Sequence, residues 1–515
     1  MKIGITTNEI LIPKKLFRAK VEKDLEFDTP LADYCPDIAR LIRVDCTPFA
    51  EGCEIQNDKA VLNGKAVYDV LYETDYKSRL KFCSFTQNFS QSVPIPRNSA
   101  NDVTVFCSPK CERIGCKLLS PRRLVIKATL GTVFEIEDES AVKALAVNED
   151  SETFFRKKSV GFEGKTTVQK ENYRFGESLT LNQNEKSIGE IVFGTVTLQE
   201  PQISLSNGRA EIKTTALIQA LCEEENNEGK YYTSSKSLPI SIDYQNEAIA
   251  DFKRVSVELT PADATFTPEL DQYGENRIIK TDFSVKAVLK ISEPKAYTLA
   301  EDVFERNFDS VPTFGSASLP LLFSQQEHSF TAEEKLPEML PIPESLLSAS
   351  ARESGVTAEI AENGINLNGN FVVTLLANTA DGIYSFDHVV PFSQFFSTEL
   401  PSGECDITAS VYPIEAITTL HSDGSATVKI IAGAKTAVHT KQEESFVADL
   451  SKRTPARAEE DFSGVIYRFP QKNEDLWHIA KSYRVNPEKV ADANPDRFDE
   501  SGKLTNVGGP ILIKI

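Results

Sequence analysis

Alternating apolar and polar positions recur along most of the chain and predict β-strands. Between Val67 and Tyr72, the residues Val67, Asp69 and Leu71 fall on one side, and Tyr68, Val70 and Tyr72 fall on the other. A period of two that is rich in β-branched and aromatic residues is typical of a strand. The pattern therefore predicts a mainly β protein.

The pattern occurs three times at long spacing. Each copy opens with a turn pair that tolerates positive φ, at Asn57-Asp58, Asn207-Gly208 and Asn363-Gly364. A second matching element begins near Ser120, Gly274 and Ser422. The copies are about 150 positions apart, which is the length of a domain and too long for a solenoid unit.

We therefore predict three repeated, sandwich-like β-domains, followed by a linker and a small C-terminal domain. Short helices are expected before the first hairpin of a unit, at Cys35–Val44 and Pro343–Ala351. The stretches near 150–160 and 300–318 show no clear periodicity. The predicted domains span residues 15–150, 160–300 and 318–450, the linker 451–463 and the C-terminal domain 464–515.

The C-terminal segment changes from strand to helix and back. Val465, Tyr467 and Phe469 alternate with Ile466 and Arg468, which predicts a strand. Asn473 is placed to cap a first helix, and Asn486-Pro487 marks the start of a second. One helical face carries Leu476, Ile479, Ala480 and Tyr483, and Ile511, Ile513 and Ile515 share one face of a closing strand. The predicted order is strand, helix, helix, strand.

The composition narrows the classes of function. With 56 Lys and Arg against 76 Asp and Glu, the formal charge is −20, which disfavours nucleic acid and anionic membranes as direct partners. The first residues lack the features of a secretory signal, and no apolar run is long enough to span a bilayer. We expect a protein that stays in a cytoplasm.

The sequence offers little evidence for a metal site or a catalytic site. The nine cysteines are an odd number in a large chain, which favours free thiols. Cys107, Cys111 and Cys116 are spaced too widely for a usual zinc site, although the sequence leaves metal binding open. No phosphate-binding loop or nucleophile motif occurs, so we expect no enzyme, no cofactor and no metal.

The C-terminal segment resembles the LysM module. The residues that carry the resemblance are Leu476-Trp477, Ile479-Ala480, Tyr483, Val485, Asn494, Gly508-Gly509 and Leu512. The resemblance implies a groove that binds N-acetylglucosamine polymers or a protein partner. Where the family has Gly-Asp-Thr, this chain has Asn473-Glu474-Asp475, which adds charge beside a neutral sugar. The candidate binding residues are Asn473, Glu474, Asp475, Trp477, His478, Lys481, Asn494 and Asp496.

Two interpretations of Trp477 and Tyr483 remain open at this point. They could form the core of a very small domain, which needs every large apolar residue. They could instead form an exposed face that binds a partner. The core interpretation is favoured, because so small a domain has few other large apolar residues with which to build a core.

The repeated β-units resemble the SPOCS domain of endospore-forming bacteria. The first unit carries the order of motifs best, with Pro36-Asp37-Ile38, Val70-Leu71-Tyr72, Phe89-Ser90, Val93-Pro94-Ile95, and Arg122 with Leu124. SPOCS repeats followed by one LysM module are the arrangement of SipL-like spore morphogenesis proteins.

This resemblance implies a scaffold without enzymatic activity in the mother-cell cytoplasm, at the forespore surface. It would help to localise the spore coat by binding a coat morphogenetic protein, the SpoIVA-like ATPase, through the LysM module. The alternative is a protein that binds peptidoglycan of the spore cortex or the cell wall. A hydrolase fused to a wall-binding module is a third and weaker hypothesis, because no catalytic group stands out.

Overall fold

The protein consists of three β-units and a small C-terminal module. The computed structural model describes residues 6–75, 79–95, 103–147, 152–206, 208–246, 249, 254–455, 464–471, 474–505 and 508–514. It is mainly β, as the alternation predicts. Neither helix within these ranges is long and apolar enough to cross a membrane.

Unit 1 is a sandwich of two three-stranded antiparallel sheets. One sheet has the order β1-β6-β5, and the other has the order β2-β3-β4. Its apolar core lies between these sheets and contains Tyr68, Tyr72 and Phe134, which are fully buried. The strands are β1 (Thr7–Pro30), β2 (Ile38–Gln56), β3 (Lys59–Thr74), β4 (Leu80–Pro94), β5 (Thr104–Ser120) and β6 (Arg123–Leu145).

Unit 2 repeats this plan with its long strands broken. Its sheets have the orders β8-β14-β13 and β10-β11-β12, with β9 also paired to β11, and a separate ribbon pairs β7 with β15. The strands are β7 (Thr153–Glu163), β8 (Thr167–Thr180), β9 (Ile188–Leu198), β10 (Gln202–Ser206), β11 (Arg209–Glu224), β12 (Asn227–Gln245), β13 (Arg254–Leu270), β14 (Asn276–Ser292) and β15 (Pro294–Glu305).

Unit 3 returns to the unbroken plan of unit 1. Its sheets have the orders β16-β21-β20 and β17-β18-β19. The strands are β16 (Phe308–Leu336), β17 (Pro343–Ala361), β18 (Gly364–Thr379), β19 (Gly382–Ser397), β20 (Cys405–Leu420) and β21 (Ala426–Pro455). All three units therefore share two facing sheets, with the first and last long strands paired to each other.

The three units meet where their central strands β3, β11 and β18 end. Each of these strands contains three consecutive buried residues, Val70–Tyr72, Ala220–Cys222 and Leu375–Ala377, which break the alternation. In β11 the buried run continues to Glu223. The outer two residues face their own core, and the middle one is a leucine on the opposite face. Leu71, Leu221 and Leu376 pack together there with Leu80, Val192, Tyr231, Leu347 and Ile383. We call this cluster the leucine junction.

A second three-way contact joins the distal parts of the long strands. One cluster contains Ile10 and Ile12 of β1, Val160 and Phe162 of β7, and Phe446 of β21. A neighbouring cluster contains Leu145, Ala300, Val303, Val447 and Leu450. The ribbons β1-β6, β7-β15 and β16-β21 are therefore held against one another as well.

Ion pairs cross each boundary between units. The Lys81 ammonium of unit 1 lies 2.6 Å from Glu190 of unit 2, and Lys435 of unit 3 lies 2.5 Å from Glu200 of unit 2. Between units 1 and 3, Lys110 lies 2.6 Å from Glu353. These pairs are partly exposed, so each contributes little stability, but together they favour one arrangement of the units.

The C-terminal module has the predicted order of strand, helix, helix and strand. Its elements are β22 (Val465–Arg468), α1 (Leu476–Tyr483), α2 (Pro487–Asp492) and β23 (Ile511–Lys514), and β22 pairs with β23. Asn486 caps α2 and Pro487 is its first residue, as predicted. Asp475 caps α1, whereas the predicted cap, Asn473, lies outside the described residues.

The predicted short helices are wrong, because residues 38–44 and 343–351 form strands. Cys35–Val44 runs into β2, and Pro343–Ala351 is the start of β17. Each strand has two β-bulges here, between Ile38 and Arg40, Leu41 and Arg43, Pro343 and Ser345, and Leu346 and Ser348. A bulge inserts one residue into a strand, so the apolar spacing becomes three and resembles a helical period.

Strands also extend through stretches that show no clear periodicity. Within these stretches, residues 153–160 belong to β7, 300–305 to β15 and 308–318 to β16. The predicted linker 451–463 begins inside β21, which continues to Pro455, and its remainder, 456–463, lies outside the described residues. In unit 3 the turn residues are Glu362 and Asn363, one position earlier than predicted. The division into domains at 15–150, 160–300 and 318–450 remains a prediction.

The leucine junction can be tested by truncation. Leu221→Ala removes a side chain that is 4% exposed and packs between units. We expect the free energy of unfolding to fall by about 2–5 kcal/mol, because a buried cavity replaces the side chain. Chemical denaturation followed by circular dichroism measures it. Leu270→Ala in the same unit is the control, since Leu270 is 61% exposed. Equal effects of the two substitutions would contradict the junction.

Candidate functional site

Helix α1 of the C-terminal module lies against the β7-β15 ribbon of unit 2. The ring of Trp477 is 5.0 Å from that of Phe304, and Phe304 is 5.0 Å from Phe154, measured between ring centroids. Trp477 is 8% exposed and shares one apolar cluster with both phenylalanines. The tryptophan therefore joins the module to the ribbon.

Asp302 is the polar centre of this contact. The indole Nε1 of Trp477 donates to Asp302 Oδ2 at 2.8 Å, and the Lys481 ammonium donates to both carboxylate oxygens at 2.7 Å. A register shift between Ala300 and Asp302 interrupts the pairing of β15 with β7. Such a bulge redirects a side chain, and here the carboxylate meets the module.

The environment of Asp302 favours its charged form. Burial raises the pKa of this carboxyl, but hydrogen bonds from Lys481, Trp477 and the main-chain N–H of Val303 lower it more. The net effect is a pKa below the ordinary value of 3.8. The carboxylate is therefore ionised at neutral pH and holds its two donors by charge-assisted bonds.

Three further ion pairs lie beside Asp302. Arg156 of β7 lies 3.3 Å from Asp475 of the module and 3.0 Å from Glu301 of β15. Arg484, whose φ of 53° ends α1 in the left-handed region, pairs with Asp309 of β16. We call the whole contact, which comprises Asp302, Phe304, Arg156, Asp309 and the facing module residues, the docking interface.

The structure divides the predicted binding residues into three groups. Asp475, Trp477 and Lys481 lie in the docking interface. Glu474 and His478 are bound within the module: Glu474 pairs with Arg468, and His478 Nδ1 lies 2.6 Å from Asp475 Oδ1.

The other predicted residues lie elsewhere. Asn494 is buried and holds β23 by accepting from Leu512 N and donating to Leu512 O, both at 2.7 Å. Asp496 is exposed in a turn at φ 64°. Asn473 lies outside the described residues. The seven described residues therefore lie in the docking interface, within the module and in an exposed turn, and the binding role of all eight remains a prediction.

The sequence did not indicate the partner residues on unit 2. Phe154, Arg156, Asp302 and Phe304 lie in segments without clear alternation. One signal was present in the sequence: the apolar residues Val303 and Phe304 are adjacent. In the structure Val303 faces the other ribbons and Phe304 faces the module. Trp477 is buried, as the core interpretation predicted, but part of its cover comes from unit 2.

The outer face of β22 remains exposed in this arrangement. Val465, Tyr467 and Phe469 are 52%, 68% and 71% exposed, whereas Ile466 packs into the module core. The predicted alternation is confirmed, with the larger apolar side chains on the solvent side. We call these three residues the β22 stripe.

The cysteines and acidic groups form no metal centre within the described ranges. There, no group of three or more His, Cys, Asp or Glu side chains is placed to hold a metal ion. Cys107, Cys111 and Cys116 are free thiols along β5. Metal binding by these three residues remains untested.

Removal of the Asp302 carboxylate should loosen the module. Asp302→Ala deletes the carboxylate that accepts from the Trp477 indole N–H and from the Lys481 ammonium. Both donors then lose this hydrogen bond. Because Trp477 is the only tryptophan, its fluorescence reports this contact alone. We expect an emission shift to longer wavelength and stronger quenching by acrylamide. Asp243→Ala, which removes an exposed ion pair with Arg209, is the control. Unchanged emission in Asp302→Ala would refute the contact.

Acid should loosen the same contact. The pKa of Asp302 is lowered in the docked state. The stabilisation of docking by its carboxylate is therefore fully present above pH 3.8, and it is lost as the pH falls through the pKa of the docked state. We expect constant Trp477 emission from about pH 7 to about pH 5 and a shift to longer wavelength only below 3.8. Asp302→Asn should abolish this step, and circular dichroism separates it from general unfolding.

The comparisons with known proteins concern unit 1. A family model described as SipL, SPOCS domain, matches residues 37–119, which run from the start of β2 to the end of β5. That family is not a known enzyme family. No curated protein and no solved structure matches the chain. The match to residues 37–119 supports a SipL-like sporulation protein.

Proposed function

We propose that this protein is a non-enzymatic scaffold of the spore envelope. It acts in the mother-cell cytoplasm at the forespore surface, where it helps to localise the spore coat. The observation that carries the proposal is the match of residues 37–119 to the SPOCS domain. Units 2 and 3 support it, because they repeat the two-sheet plan of the matched unit.

The contacts between the units suit a scaffold. The leucine junction, the ribbon clusters and the ion pairs hold the three units at several points that lie far apart in the sequence. Surfaces on different units therefore keep fixed positions relative to one another. Fixed spacing is what a protein needs to hold several partners in one arrangement.

The C-terminal module offers its β22 stripe to the partner. Its helical face is already occupied by unit 2 through Trp477 and Lys481. Val465 and Tyr467 lie on β22 and Phe469 follows it directly. Three exposed apolar side chains this close together are unusual for a surface without a partner. We assign this surface to the coat morphogenetic ATPase of the SpoIVA-like type, the partner that the resemblance to SipL-like proteins implies.

A binding experiment on the full-length protein tests the proposal. The purified chain and a variant with Tyr467→Ser and Phe469→Ser are titrated against the coat ATPase, and each is also sedimented with purified peptidoglycan. We expect nanomolar to micromolar binding of the ATPase by the unchanged chain. The variant should bind at least tenfold more weakly, because both exposed anchors are lost.

Val389→Ser is the matched control, since Val389 is 61% exposed on unit 3. Asp302→Ala, which loosens the helical face, should leave ATPase binding intact. Loss of binding only in Asp302→Ala would move the contact to the docking interface. Sedimentation with peptidoglycan in the absence of ATPase binding would replace the proposal by the peptidoglycan alternative.

A further inference from the structure

Four cysteines of unit 1 point into its sandwich from two facing edge strands. Residues that pair across neighbouring strands share a face of the sheet. On β2, Cys46 pairs with Tyr68 and Cys53 with Leu62, both of which are fully buried in the core. On β5, Cys107 pairs with Phe134 and Cys111 with Leu130, which are also fully buried. All four thiols are therefore directed inward.

A β-bulge brings Cys46 and Cys53 to the same face. An odd spacing would place them on opposite faces of a regular strand. The bulge between Ala50 and Gly52 adds one residue and restores the inward direction of Cys53. Cys107 and Cys111 have an even spacing and need no such correction. The bulge thus aligns two thiols of β2 with two thiols of β5.

The four thiols form two pairs across the sandwich edge. Strands β2 and β5 are the edge strands of their sheets and contact each other. The side chains of Cys46 and Cys111 lie close enough to interact, and so do those of Cys53 and Cys107. When protonated, the Cys111 thiol donates to the main-chain oxygen of Arg113, at 3.4 Å. All four side chains are partly buried, so small reagents can reach the edge.

Unit 3 shows that this edge packs without cysteine. Its equivalent inward positions on β17 are Ala351, which pairs with Val373, and Ala358, which pairs with Leu367. On β20 they are Ala409 and Pro413, which pair with Thr436 and Ala432. The fold therefore needs only small apolar residues here. Packing explains why small residues occupy these positions. It does not explain why unit 1 has cysteines on both β2 and β5, with their thiols opposite one another.

We propose that Cys46–Cys111 and Cys53–Cys107 are two disulfide-forming pairs that close the β2–β5 edge of unit 1 under oxidation by a peroxide. One cysteine loses its proton to solvent, and its thiolate attacks a peroxide oxygen. The O–O bond breaks and gives a sulfenic acid and hydroxide, which takes up that proton and becomes water. The partner thiol attacks the sulfenic sulfur, the S–S bond forms, and hydroxide leaves and takes up the remaining proton as water. Per pair, two thiols lose two electrons and one peroxide is reduced.

Neighbouring charges support this order of events. The interaction with Cys46 lowers the pKa of Cys111, and Arg352 of unit 3 lowers it further. The interaction with Cys107 and the nearby Lys170 of unit 2 lower the pKa of Cys53. The thiolate is the reactive form, so Cys111 and Cys53 are the attacking residues.

Two other thiols in the same core serve as an internal comparison. Burial raises the pKa of Cys83 to about 12 and that of Cys116 to about 11. Both also point inward, since they pair with the fully buried Val70 and Ile126. They should remain protonated thiols under mild oxidation. An inward position in the core is therefore not sufficient for reaction with peroxide.

Peptide mapping of the full-length protein tests the proposal. The reduced chain is treated with hydrogen peroxide, the remaining thiols are alkylated, and the digest is analysed by mass spectrometry without reduction. We expect cross-linked peptides for Cys46–Cys111 and Cys53–Cys107, each two hydrogens lighter than the reduced pair, and alkylation of the other five cysteines. Before oxidation, Cys53 and Cys111 should be alkylated roughly tenfold or more faster than Cys116.

Substitutions copied from unit 3 provide the matched variants. Cys46→Ala should abolish the first cross-link and keep the second, and Cys53→Ala should do the reverse. Cys405→Ala, outside the pairs, should leave both cross-links. Circular dichroism checks that each variant folds. Cross-links between molecules or along one strand, complete alkylation after oxidation, or stoichiometric zinc on the reduced chain would each overturn the proposal.

Discussion

Burial of a strand on both of its faces holds this molecule together. A strand in an ordinary sandwich has one apolar face and one face towards solvent. The ends of β3, β11 and β18 that precede the hairpins depart from that rule. There the side chains of Leu71, Leu221 and Leu376 point away from their own cores and pack against one another. The leucine junction thus depends on one residue per unit that is out of phase with its own strand.

The C-terminal module is attached according to the same principle. At the end of β15, Val303 faces the other ribbons while Phe304 faces Trp477, so this strand is also covered on both sides. The contact differs from the leucine junction in its polar centre. Asp302 satisfies both the indole and the Lys481 ammonium, which makes the contact specific for one orientation of the module. Apolar burial supplies the attraction and the carboxylate selects the geometry.

The sequence predicted elements well where a single period governs a segment. Alternation predicted the strands of the central hairpins. The apolar helical face and the Asn486-Pro487 start signal predicted the two helices of the C-terminal module. It failed where two requirements overlap. Bulges in β2 and β17 shift the apolar spacing to three, so strands resembled helices. The docking interface was not predictable, because Asp302 and Trp477 lie 175 positions apart and no local pattern relates them.

The leucine junction has a consequence for synthesis of the chain. Leu71 is made about 300 residues before Leu376, and the junction cannot close until unit 3 has emerged. At typical translation rates this is a delay of about 15–60 s. During that time units 1 and 2 can fold on their own cores while each presents an uncovered leucine surface. The nascent chain is therefore most exposed to misassembly between unit 1 and unit 2 of neighbouring ribosomes, and a chaperone would find its binding surface at the ends of β3 and β11.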